Sequence, residues 1–157
     1  MAKAHQIPTV VDPKKKNFFA YSGATLFKPN LHELRDGLGL DASATRPENI
    51  AKTVADFKAA QSFTGLFVTM SERGVYMDYA ADQIQIPAHI RQIADVSGAG
   101  DTVLASIAIC LLNKYSLNDS CRFANTAASI VIQKFGAEVT TVKEVLKEIT
   151  LLKNKIY

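Results

Sequence analysis

Asp95-Val96-Ser97-Gly98-Ala99-Gly100-Asp101-Thr102 leads directly into the apolar run Val103–Leu112, and its two glycines, separated by one alanine, mark where a helix begins. Backbone without side chains at Gly98 and Gly100 lets a ligand approach closely. The first N–H groups of the helix have no partners inside it and sit at the positive end of its dipole. That combination predicts an anion cradle. Asp101 reads in two ways, as a first-turn carboxylate complementing the dipole or as a base beside a bound phosphate. The octet is not a dinucleotide fingerprint, because Val103 stands where a third glycine belongs, and no Gly-Lys-Ser/Thr follows to make a P-loop.

Working outward, the run Val103–Leu112 is half of what a bilayer-spanning helix needs and contains Ser106, so it predicts a buried helix reaching about Asn113. A second helix is expected after Ser116, with Asp119 three residues on, ending at Gly136. A third starts at the capping box Thr141-Val142-Lys143-Glu144 and carries Val145, Leu146 and Ile149 toward a core. Upstream, Thr9–Val11 stops at Asp12-Pro13 and Ala24–Phe27 stops before Pro29, as short strands do. Ile50, Val54 and Phe57 predict a helix within Thr45–Lys58, with Pro47 and Glu48 in its first turn. Gly65–Thr69 is strand-like, and Val75–Met77 with Ile84–Ile86 predict a hairpin or an edge pair. This order predicts an α/β layer sandwich over a single domain spanning 1–157.

Composition narrows the class. With 157 residues, 48% hydrophobic content and two cysteines, the chain is no disordered tail, collagen or disulfide scaffold. A net charge of +3 is mild, and the one compact basic run, Lys14-Lys15-Lys16, reads as a solvated turn, so neither nucleic acid nor membrane is an expected partner. Cys110 and Cys121 read as small core side chains, and no apolar segment follows the first residues to make a secretory signal. Both features predict a cytoplasmic protein. His5, His32 and His89 show no ligand spacing.

The octet resembles the signature of the ribokinase-type (PfkB-type) carbohydrate kinases, which reads close to D-T-x-G-A-G-D. Three further segments agree in order and spacing. Lys28-Pro29-Asn30-Leu31-His32-Glu33 is similar to the family's N-x-x-E element near the ATP phosphates and magnesium. Val68-Thr69-Met70-Ser71-Glu72-Arg73-Gly74 is similar to its strand-end phosphate loop, and Phe123–Ala128 to the small-residue helix beside the adenine pocket. The Ser71-Glu72 variant, Val10-Val11-Asp12-Pro13-Lys14 and Tyr21–Leu26 resemble the heptose-phosphate kinase subgroup, the kinase part of ADP-heptose synthase.

The resemblance implies a ribokinase-like three-layer sandwich and a cytoplasmic enzyme that uses ATP and magnesium. It implies transfer of the γ-phosphoryl group to the anomeric hydroxyl of D-glycero-D-manno-heptose 7-phosphate, in lipopolysaccharide core assembly. Gly98, Ala99 and Gly100 would form the anion hole and Asp101 would be the base. Lys28, Asn30, Thr69, Ser71, Gly74 and Asn125 would line the ATP site, and Glu33 would act on magnesium through water. Read on their own, Asn30 also fits a helix cap, Lys28 a solvated flank and Gly74 a turn residue, while Asn125 is equally a helix residue bonding a neighbouring loop. The resemblance also implies potassium beside the cradle, held by Asp95 and carbonyls near Phe135-Gly136.

The matches, over about residues 8 to 150, correspond to the second half of the family fold. The resemblance implies that the half which supplies the sugar-binding residues and the lid is not to be expected within these residues. A parallel sheet cut there exposes an edge, so a homo-oligomer or association with the missing half is expected. The alternative function is a non-catalytic ATP- or phosphate-binding module that needs a partner for the sugar site. No H-x-G-H nucleotidyltransferase pattern occurs, so adenylyl transfer is not expected.

Overall fold

Pro13 and Pro29 cannot donate to a sheet ladder, and the strands ahead of them are short. These are β1, Val10–Val11, and β2, Leu26–Phe27. β3 is Gly65–Thr69. β1 pairs parallel with β2, Val10 opposite Leu26, and β2 parallel with β3, Leu26 opposite Gly65. β4 (Val75–Tyr79) runs antiparallel to β3. β5 (Asp82–Ile86) follows after the two residues Ala80 and Ala81, so the two runs form a hairpin, and the sheet order is β1-β2-β3-β4-β5.

The computed structural model describes residues 2–88 and 94–154, the side chains of Lys3, Lys153 and Asn154 excepted, so His89 lies outside the described residues. Two compact units result. The first takes the described residues up to Met70 together with Val75–Gln85; the second takes Ser71–Gly74 and the described residues from Ile86 onward.

In the first unit, α1 (Leu31–Leu38) is a helix the periodicity did not announce, and α2 is Ile50–Ala60. The expected first turn of α2 around Pro47 is a separate turn, in which Asn49 and Ile50 N–H both donate to the Arg46 carbonyl. Leu26, Phe27, Leu34, Val54 and Leu66 are fully buried. Phe27 stacks on Phe63 at 4.6 Å and meets Phe18 edge-on at 5.1 Å. Burial of each such ring contributes roughly 1.5–3 kcal/mol. Asp78 on β4 is buried against the Lys58 ammonium of α2, which also donates to the Ala80 carbonyl at 2.9 Å.

The second unit is helical. α3 is Ala99–Leu112, α4 Leu117–Val131 and α5 Val142–Asn154. Val103, Ile107 and Cys110 of α3 are buried, as are Cys121, Ala124, Ala127 and Val131 of α4. Small side chains on α4 allow the two helices to pack closely. α4 ends before the expected Gly136. The Ile132 carbonyl accepts from Ala94 and Asp95 N–H, and Gly136 N–H goes to the Asp95 carboxylate, so both groups of the next helical bond are taken. Among the described residues no helix is long and apolar enough to cross a membrane.

Candidate functional site

The octet folds as its glycines require. Gly98 caps α3 at φ 77° and ψ −6°, a left-handed conformation that L side chains rarely adopt, and it offers no side-chain cap. Ala99 N–H is used, donating to the Val96 carbonyl at 3.2 Å, so the expected hole of Gly98, Ala99 and Gly100 loses its middle donor. Among the described residues the amides of Gly98, Gly100 and Asp101 have no protein acceptor. Asp101 stands exposed in the first turn, and its carboxylate makes no hydrogen bond or ion pair with a described residue. An open, positively polarised helix end with a carboxylate at its rim can hold a phosphate and receive a proton beside it.

Asp95 clasps two loops around this end. One oxygen accepts the Ser97 N–H at 2.9 Å and the Ser97 hydroxyl at 2.8 Å, and the other accepts the Gly136 N–H at 3.1 Å. The Ser97 amide, then its hydroxyl, and the Gly136 amide hold the carboxyl below its ordinary value. These bonds tie the Asp95 carboxylate to the protein's own donors.

Two other expected residues meet at one segment of the same unit. Gly74 has φ +85°, and a Cβ there would lie 2.0 Å from the Ile86 carbonyl oxygen, so only glycine fits. Asn125, 7% exposed on α4, donates its amide to the Pro87 carbonyl at 2.9 Å. Asn125 therefore bonds a neighbouring loop, the alternative that its helical position left open. Ser71 opens the turn before Gly74 at φ 52°, exposed, and its carbonyl accepts the Gly74 N–H.

The first unit gathers the remainder at the carboxyl ends of its parallel strands. Asn30 is bridged to Thr69, whose N–H donates to the Pro29 carbonyl at 3.2 Å. Asn30 and Glu33 form a capping box: the Asn30 side chain accepts the Glu33 N–H at 2.7 Å, and Glu33 accepts the Asn30 N–H at 2.8 Å. The second Glu33 oxygen has no partner among the described residues. One such oxygen suits magnesium, which keeps several waters and takes few protein carboxylates. Among the described residues no three His, Cys, Asp or Glu side chains are grouped to hold a metal by themselves.

Lys28 is not a solvated flank. It is 3% exposed, with its ammonium 2.7 Å from Asp12. Asp12, which the sequence marked only as a strand stop, also takes Lys14 at 2.8 Å on its other oxygen. Partial burial pushes the Asp12 carboxyl up, but hydrogen bonds from Lys14 and Lys28 outweigh this and hold it below the usual value. No local signal reveals this cluster, because Asp12 and Lys28 leave different strands.

Comparison with known proteins places the chain in a family and a fold. The bifunctional protein HldE of Azorhizobium caulinodans is 40% identical over 146 residues, covering 89% of this chain and 29% of that protein. Phosphofructokinase-2 from Escherichia coli, solved in complex with potassium, superimposes with a TM-score of 0.84 at 21% identity, over 97% of this chain and 50% of that one. Arabidopsis thaliana ribokinase, complexed with ribose and ATP, gives a TM-score of 0.79 at 25% identity, over 92% and 48%. The fold is thus ribokinase-like α/β, and the chain spans about a third of its HldE relative and half of the solved kinases. The family model described as pfkB family carbohydrate kinase matches residues 1–144. The open cradle and the strand-end cluster therefore lie within a chain that belongs to the pfkB carbohydrate kinase family.

Proposed function

We propose that this chain is the nucleotide- and phosphate-handling part of an ATP-dependent sugar kinase. Its acceptor is the anomeric hydroxyl of D-glycero-D-manno-heptose 7-phosphate, and its setting is cytoplasmic lipopolysaccharide core assembly. The similarity to HldE supports that acceptor. The observation that carries the reading is the open N-terminus of α3, with donors at Gly98, Gly100 and Asp101 lacking acceptors and the Asp101 carboxylate at the rim. Phosphoryl transfer is mostly positioning and charge neutralisation, and these are the parts it needs.

In this reading the Gly98 and Gly100 amides stabilise charge on the moving phosphoryl group, and Asp101 accepts the proton of the attacking hydroxyl. Glu33 orients magnesium-bound water through its second oxygen, while its first keeps α1 capped. Magnesium, when bound, neutralises the phosphate tail of ATP. Thr69 and Ser71 border the phosphates, and Gly74 and Asn125 fix the Pro87 segment that would flank the base. The sugar-contacting part is supplied by a second polypeptide segment or a second copy.

A second reading, a non-catalytic ATP-binding module, is supported by the half-length match to the solved kinases. Isothermal titration of the chain with magnesium and ATP should show binding under both readings, and its absence overturns both. Coupled ADP release with a panel of sugar phosphates, alone and with a polypeptide corresponding to the unmatched part of HldE, separates them. Release with the heptose phosphate supports the kinase, and none under any condition supports the module.

A further inference from the structure

The open end of α3 is held by a residue that precedes it. Asp95 shares its two carboxylate oxygens between two segments, one oxygen taking the Ser97 amide and hydroxyl and the other the Gly136 amide. The Gly136 loop in turn backs the cradle, because a Cβ built on Gly98 would lie 3.7 Å from the Ala137 Cα. The Asp95 main chain is tied as well, its N–H donating to the Ile132 carbonyl at 3.2 Å, where Ala94 N–H also donates at 2.8 Å. One residue thus joins the end of α4, the loop after it and the run-up of α3. What Gly136 turns toward the carboxylate is an N–H. A potassium ion is met by oxygens, whereas an N–H bonds the anion itself.

Hydrogen bonds that end on a carboxylate are roughly twice as strong as neutral ones, and a binding group works only while its support keeps it in line. We propose that Asp95 is a positioning residue that holds the Gly98 and Gly100 amides in line for the terminal phosphate of ATP, acting through its bonds to Ser97 and Gly136 and not through a bound monovalent cation. The inference rests on the kinase reading above and names what aims its cradle. An asparagine at this position has one oxygen, so it can serve Ser97 or Gly136 but sets a donor against the other.

The test is isothermal titration of the 157-residue chain with magnesium-ATP and with magnesium-ADP, each in potassium chloride and in tetramethylammonium chloride at equal ionic strength. Asp95→Asn should weaken ATP about tenfold in both salts, the size of one charge-assisted hydrogen bond, and leave ADP within about twofold. The nucleotide split is a readout that a general loss of stability would not produce, because only ATP carries the phosphate that the cradle receives. Ser97→Ala loses the hydroxyl bond alone and should weaken ATP about threefold, so it carries the test if Asp95→Asn does not fold. Unchanged ATP affinity in every folded variant, an equal loss for ADP, or a loss seen only in potassium overturns the inference and leaves the kinase reading standing. Failure of wild type to bind ATP overturns both.

Discussion

Helix α1 begins with Asn30 and Glu33 filling each other's backbone donors, whereas α3 begins with Gly98, which has no side chain to offer and leaves its neighbours' amides without acceptors. The first arrangement closes a helix end with the protein's own groups; the second leaves amides without protein acceptors among the described residues. In the proposed kinase reading, the cap of one helix start serves stability and its omission at the other serves a phosphate. The difference also sorts the carboxylates, since Glu33 spends an oxygen on its helix and Asp101 spends none.

The largest expected effect breaks the comparison at its open end. Asp101→Asn should lower ADP release by roughly 10²–10⁴ in the catalytically competent assembly while the dissociation constant for ATP stays within twofold. Unchanged turnover would reduce Asp101 to a partner of the helix dipole. At the closed end, Asn30→Ala should cost about 1 kcal/mol by denaturant unfolding, and a null result would mean the capping box contributes nothing. Gly98→Ala, strained at a left-handed φ, should cost about 1–2 kcal/mol on the same assay.

A subtler effect concerns the clasp beside the open end. Because the Asp95 carboxyl is held below its ordinary value of 3.8, its stabilising contribution is fully present above that value and is lost as pH falls below it. Asp95→Ala should therefore melt below wild type at neutral pH, with the gap narrowing below about pH 4. A gap that persists into acid would show that lost packing, and not charge, sets the difference. Smallest of all, Cys121, fully buried and with its thiol pushed up to about 12 by burial, should resist thiol reagents at pH 8 until the chain unfolds. Rapid labelling of the native chain would contradict that burial.

Much of the fold was legible because local chemistry decided it. Pro13 and Pro29 stop strands, Gly98 turns the chain, and the Thr141–Glu144 box starts α5, where Thr141 N–H does donate to Glu144 at 2.7 Å. α1 was missed because Asn30 and Glu33 resembled a phosphate element, although the same spacing is a capping box and Leu31, Leu34 and Leu38 follow at helical intervals. The end of α4 was misjudged because its terminating bonds come from Ala94 and Asp95, far away in sequence. The glycines of the octet announced the start of α3, but not that the Ala99 amide is taken by the Val96 carbonyl. The fates of Lys28 and Asn125 were not announced, since each is decided by a partner on another element, Asp12 for one and Pro87 for the other.

The length of α4 is thus governed by a neighbour rather than by its own residues. Since Asp95 and the Ile132 carbonyl splice the last turn of α4 to the run-up of α3, a shift of one drags the other like two rods on a shared pin. Adding or deleting a residue between Gln133 and Phe135 would then re-aim the open end of α3 without touching it, which makes this short loop a place where distant mutations can tune affinity.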